Sequence, residues 1–161
     1  MKSGIGSATV WLEGKHAGVG VAALAAVNAF GDIRDPETGK LLAGARRSPD
    51  SLELAGTALQ MKRGIRGGFR RENTTLVVVA TNARLSKVEA TKLAQLASIG
   101  MARTITPVWT MFDGDLVIAL SVGNKPSDII ALGVAAGEAV ADAVIRAIRH
   151  APSLGGLPGF R

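Results

Sequence analysis

The chain has 161 residues, 47% of them hydrophobic and mostly aliphatic, with 20 glycines, a net charge of +6 and no cysteine. That is one domain's worth of material with enough apolar side chains for a core, and it rules out disulfides and thiolate metal sites; His16 and His150, the two histidines, lie far apart and argue against a histidine-rich metal site. No apolar run approaches the ~18 residues of a membrane span, and no apolar signal core follows Met1, so the sequence reads as cytoplasmic.

Residues 7–13 and 16–28 read as two strands joined at Gly14-Lys15. The second is small and apolar throughout, the pattern of a strand buried on both faces. From Gly31 to Asn73 the periodicity dissolves. Asp35-Pro36-Glu37-Thr38-Gly39 is a turn signal, and the stretch 31–73 reads as one long loop whose end is cationic through Lys62, Arg63, Arg66, Arg70 and Arg71. Leu76–Thr81 is an apolar strand. Ser86 and Glu89 match a capping box, opening a helix with Ala90, Leu93, Ala94, Ala97 and Met101 on one face. Thr104–Met111, interrupted by Pro107, reads as extended and at an edge. Leu116–Val122 is a further apolar strand, entered from Asp113-Gly114-Asp115. A second helix, from about Asp128 to His150, carries Leu132, Ala136, Val140, Ala143 and Ala147 on one face, with Arg146, Arg149 and His150 at its negative end. Strand, strand, loop, strand, helix, strands, helix is the order of an α/β layered domain.

The chemistry concentrates at Asn73-Thr74-Thr75, where a polar cationic stretch meets the apolar strand. Cleavage between Asn73 and Thr74 would give Thr74 a free α-amine beside its hydroxyl, nucleophile and base in one residue. That amine titrates near neutrality. Threonine pairs also open strands simply because β-branching favours them. Asp113 and Asp115, two residues apart in an extended segment, project to one side, where two like charges call for a raised pKa or an intervening cation; equally, Asp-Gly-Asp is a plain turn. Asn28 ends an apolar strand and is either a turn former or an amide donor. Arg66-Gly67-Gly68-Phe69-Arg70-Arg71 interleaves cations and an aromatic as RNA-binding segments do, though in one short copy without a stacking platform.

The segment Asn73–Lys87 resembles the nucleophile segment of the self-processing DmpA/NylC hydrolases, a family of β-aminopeptidases, D-aminopeptidase/esterases and nylon-oligomer hydrolases. Lys2–Ala8 resembles the family's Lys-Gly-Gly-Ile-Gly-Ser-Ala turn. Ala26–Asp32 resembles its oxyanion-hole strand end, and Phe112–Asp115 its acidic pair. Gly156-Leu157-Pro158-Gly159-Phe160-Arg161 resembles the family ending. The resemblance implies an αββα layered sandwich of the DmpA type lacking the amino-terminal half, which in complete members supplies sheet strands and an oxyanion-binding tyrosine. It implies autocleavage at Asn73/Thr74, dividing a single partial domain into 1–73, the end of an α-chain, and 74–161, a β-chain. Thr74 is then the nucleophile, Asn28 the oxyanion donor, Asp113 and Asp115 the groups that orient the amine, and Lys2 a lysine near the active site. A small peptide or amide substrate, a homo-oligomer and no cofactor follow from the same resemblance. The alternatives are a catalytically silent fragment or a subunit needing a separate first half, an RNA-binding protein using 62–71, and the ornithine acetyltransferase group, whose Ala-Thr-Met-Leu cleavage segment differs from Asn-Thr-Thr-Leu here.

Overall fold

The structure, a computed structural model, describes residues 1–64 and 73–160. Four strands form the principal sheet: β1 (Ile5–Trp11), β2 (Gly20–Ala26), β5 (Leu76–Ala83) and β7 (Leu116–Lys125), in the order β1-β2-β5-β7. β1 and β2 make an antiparallel hairpin around a short 3-10 turn at Gly14–His16, β2 pairs antiparallel with β5, and β5 pairs parallel with β7. A parallel pair needs a crossover. Here α2 (Lys87–Thr104) provides it, opened by the expected capping box: the Ser86 hydroxyl accepts from the Glu89 N–H, and the Glu89 carboxylate accepts from the Ser86 N–H at 2.8 Å.

One sheet face is covered by α2 and α3 (Ile129–Arg149). Its inward residues run across the strands in register, Gly6–Ala25–Val77–Val117 and Ala8–Ala23–Val79–Ala119. They meet the small-residue face of α3, on which Leu132, Ala136, Val140, Ala143 and Ala147 are all fully buried as the helical period predicts. The fit depends on missing side chains. A Cβ on Gly6 would stand 2.2 Å from the Ala143 carbonyl oxygen, and one on Gly100 would stand 2.3 Å from that of Gly137. β1 can therefore approach α3, and α2 can approach α3, only as glycine.

The opposite sheet face is open. Ile5, Trp11, Leu24, Leu76, Leu116, Ile118, Leu120 and Val122 all project from it, between 44% and 68% exposed. This corrects the expectation that β2 is buried on both sides: Leu24 is half exposed, because no other element of the described chain lies over it.

The stretch 31–73 is likewise not one structureless loop. It contains β3 (Asp32–Arg34), β4 (Leu41–Ala43) and α1 (Thr57–Lys62), and β3 joins β4 and β6 (Ile105–Thr106) in a small second sheet ordered β4-β3-β6. A buried carboxylate organises it. Asp32, 1% exposed, accepts from the Ala45 N–H at 3.3 Å, the Thr57 N–H at 2.5 Å and the Thr57 hydroxyl at 2.8 Å, and hydrogen-bonded burial is the condition under which an acidic group is tolerated inside. α2 extends through Thr104, so the extended segment expected from Thr104 begins one residue later and holds regular strand pairing only at Ile105–Thr106, at the edge of the second sheet. Of the cationic segment, Lys62 and Arg63 end α1, whereas Arg66, Arg70 and Arg71 lie outside the described residues. No described helix is long and apolar enough to cross a membrane.

Candidate active site

Thr74 sits where three segments converge at the start of β5. Its backbone N–H donates to the Asn28 carbonyl at 2.9 Å, at the end of the β2 strand. Its hydroxyl donates to the carbonyl oxygen of Asn73 at 2.7 Å. The same carbonyl accepts the Gly114 N–H at 2.9 Å, and Asn73 bridges to Asp113 as a single parallel pair. The peptide between Asn73 and Thr74 is thus held on both sides, with the Thr74 hydroxyl against its carbonyl. A Cβ on Gly114 would lie 2.8 Å from Thr74 Oγ1, so residue 114 is glycine where the hydroxyl needs space.

The two carboxylates frame this peptide without touching the Thr74 nitrogen. Asp113 Oδ1 accepts from the Phe30 N–H at 3.2 Å, and Oδ2 accepts from the Thr110 N–H at 3.2 Å and the Thr110 hydroxyl at 2.6 Å. Asp115 Oδ1 accepts from the Thr75 N–H at 2.8 Å, and Oδ2 from the Trp109 N–H at 3.3 Å. Burial pushes the Asp115 carboxyl above the ordinary carboxylate range. The charge of Asp113 adds to the shift, against the pull of the Thr75 and Trp109 donors. The Thr75 hydroxyl is fully buried, with no partner in hydrogen-bonding geometry among the described residues. That side chain faces inward at the strand start, whereas the Thr74 side chain is half-buried.

Beside this centre lies a cavity of about 240 Å³ whose lining includes Lys2, Ser3, Asn28, Phe30 and Asn73. Asn28 is exposed to it. Lys2 is tied down: its backbone N–H donates to the Pro158 carbonyl at 2.9 Å and its amine to the Ser3 carbonyl at 2.5 Å. The residues nominated for the hydrolase site therefore gather within one region: Thr74, Asp113 and Asp115 through one hydrogen-bonded frame, and Lys2, Asn28 and Asn73 around one cavity. Residues 1–160 match the model of peptidase family S58. The chain belongs to that family.

Among S58 relatives, an uncharacterized aminopeptidase of Mycobacterium tuberculosis is 34% identical over 183 aligned positions, covering all of this chain and 52% of its own length. A Pyrococcus horikoshii structure superposes with a TM-score of 0.61 at 24% identity, over 99% of this chain and 43% of that one. The L-aminopeptidase D-Ala-esterase/amidase of Ochrobactrum anthropi, described as a variant of the Ntn-hydrolase fold, superposes with a TM-score of 0.60 at 23% identity, over 98% and 43%. A mixed α/β fold with two sheets and flanking helices matches the αββα sandwich of N-terminal-nucleophile hydrolases, and the DmpA/NylC resemblance holds. The chain spans about half the length of the curated relatives it matches.

The candidate site also contains groups that the sequence did not single out. Thr110 stands three residues before Asp113 and gives that carboxylate two of its three hydrogen bonds among the described residues. Trp109 adopts φ +56°, a left-handed backbone that costs a bulky residue energy, and in that conformation its N–H reaches Asp115. Phe30, whose N–H reaches Asp113, also packs its ring 5.3 Å from that of Phe112. The Thr-x-x-Asp spacing of 110–113 is the one local signal that points to any of these.

Proposed function

We propose that this chain is the nucleophile-bearing half of a self-processing N-terminal-nucleophile amidohydrolase that releases amino-terminal residues or cleaves small amides. The observation that carries the proposal is the Thr74 hydroxyl resting 2.7 Å from the carbonyl oxygen of the peptide bond it would cut. In processing, Oγ1 of Thr74 attacks the Asn73 carbonyl carbon, the Asn73–Thr74 C–N bond breaks, and the hydroxyl proton ends on the departing nitrogen. Water hydrolyses the resulting ester, leaving an Asn73 carboxylate and a Thr74 α-amine. In turnover that amine is the base for the same hydroxyl. The substrate acyl group passes to Oγ1, Asn28 donates to its oxyanion, and water releases it. Once freed, the ammonium has Asp113 and Asp115 one residue away to orient it, and Lys2 adds positive charge to the same cavity. The aminopeptidase and amidase names carried by relatives support small peptides and amides as the substrate class.

The open sheet face supports a second element of this reading. Burying the exposed half of each of its eight large side chains is worth on the order of 1 kcal/mol apiece, and sheets stack face to face at about 10 Å. We place the other half of the S58 fold over it, with homo-oligomers built from the completed unit.

The test is the intact mass of the purified chain, alone and co-expressed with the first half of a relative. Two fragments meeting at Asn73/Thr74, absent in Thr74→Ala, are the expected result. A Thr74→Ala chain cut at the same bond removes Thr74 from the mechanism. RNA binding that is tight, and lost when Lys62–Arg71 is neutralised, favours the nucleic-acid alternative instead.

A further inference from the structure

On the self-processing reading above, we propose that the backbone N–H of Gly114 is the oxyanion donor for the chain's own cleavage. Among the described residues the Asn73 carbonyl accepts two hydrogen bonds, from Thr74 Oγ1 at 2.7 Å and from Gly114 N–H at 2.9 Å. Only one of them survives the reaction. When Thr74 Oγ1 bonds to the Asn73 carbonyl carbon, its proton leaves and it donates no longer, while the carbonyl π pair moves onto oxygen. The Gly114 N–H remains, facing the oxygen on which the charge develops. A fixed backbone donor at that place lowers the barrier because it needs no reorientation as the charge appears. Collapse of the intermediate returns the pair to the carbonyl and expels the Thr74 nitrogen, which takes the proton.

The donor is held by the acidic pair on either side of it. Asp113 is fixed through Phe30 and Thr110, and its own N–H donates to the Thr110 carbonyl at 3.1 Å, so the 113–114 peptide plane is clamped. Asp115 fixes the far side of the scissile region through the Thr75 N–H. The acidic pair thereby has a task before any α-ammonium exists: it sets the angle between donor and scissile carbonyl. Glycine at 114 is explained by the same geometry. Its φ is not in the left-handed region, so its backbone conformation does not require glycine; the space above it, 2.8 Å from a Cβ position to Thr74 Oγ1, does. After Asn73 departs, this N–H faces whichever carbonyl Thr74 attacks next, so the processing donor serves turnover beside Asn28.

The test replaces Gly114 with glycolic acid by semisynthesis, exchanging the backbone amide for an ester and deleting the N–H with no added side chain. Cleavage at Asn73/Thr74, followed by intact mass, is expected to slow by about 100-fold, the lower end of what losing one oxyanion donor costs. Cleavage within about threefold of the unsubstituted chain overturns the inference and leaves the Thr74 reading intact. An unsubstituted chain that is never cut, alone or with a relative's first half, overturns both. In the uncut Thr74→Ala chain, a through-hydrogen-bond coupling between Gly114 nitrogen and Asn73 carbonyl carbon is expected by NMR; its absence overturns the inference without reference to any rate.

Discussion

Asp113 is the joint between the β2 strand end and the 110–115 turn, and replacing it measures how much of the site depends on that joint. Asp113→Ala deletes acceptors for the Phe30 N–H, the Thr110 N–H and the Thr110 hydroxyl. Hydrogen bonds to a charged group are worth about 1.5–3 kcal/mol each when buried. The site is only partly buried, so water recovers part of each, and a total loss of about 2–3 kcal/mol is expected. Asp113→Asn keeps the shape and one oxygen but turns an NH₂ toward an N–H donor, of either Phe30 or Thr110, for a loss of about 1–2 kcal/mol. Unfolding entropy of roughly 2.1 cal/mol/K per residue over 161 residues makes 1 kcal/mol about 3 °C. The two variants should therefore melt about 6–9 °C and 3–6 °C below the parent.

Thermal unfolding supplies those shifts, and a double-mutant cycle with Thr110→Val supplies their origin. Asp113→Asn and Thr110→Val should couple by about 0.5–1.5 kcal/mol, because they share a 2.6 Å hydrogen bond. Self-cleavage, followed by mass, should slow in both, since the clamp on Gly114 loosens. If both variants melt within 2 °C of the parent, add without coupling and cleave at the parental rate, Asp113 is a surface turn residue and the frame described here is wrong.

The raised Asp115 carboxyl carries a sign that can be checked. Its folded value lies above its unfolded one, so its favourable contribution is complete below about pH 4 and is lost as pH rises through the folded value. The parent should therefore lose stability relative to Asp115→Asn as pH rises above about 4, read as the change in their Tm difference. Gly6→Ala should cost about 3 kcal/mol, as overpacking against the Ala143 carbonyl forces β1 away from α3; chemical denaturation measures it, and a loss under 1 kcal/mol would mean that the helix yields. Ser86→Ala should cost about 1 kcal/mol by removing the cap of α2, with no change in self-cleavage. Ile118→Lys on the open sheet face should leave the Tm of the isolated chain nearly unchanged while reducing its association with a relative's first half in co-purification; an unchanged yield would place that half elsewhere.

The elements that the sequence revealed are those long enough to repeat. β5, β7, α2 and α3 run 8 to 21 residues, and α2 and α3 carry either a cap pattern or several turns of one apolar face. β3 and β4 run three residues each, too short for any alternation to register. Asp32, the residue that binds their segment into the fold, reads as one more loop acid, because its partners Ala45 and Thr57 come together only in three dimensions. β2 misled for a different reason. Its composition matches a strand covered on both faces, and composition carries no information on whether the covering layer belongs to the same stretch of chain.

The site divides in the same way. Thr74, Asn28, Asp113, Asp115 and Lys2 could be nominated from sequence because their side chains are chemically distinctive and fall within short ordered blocks. The partners of the Asp113 and Asp115 carboxylates and of the Asn73 carbonyl are mostly main-chain donors: the N–H groups of Phe30, Thr75, Trp109, Thr110 and Gly114. Every residue but proline offers an N–H, so no residue type marks those five. What marks them is conformation, the left-handed turn at Trp109 and the bare Cα at Gly114, and both follow from how the 109–115 segment passes beneath Thr74. A sequence can thus nominate a nucleophile for such a site, whereas the donors around it are fixed by how the chain packs around one peptide bond.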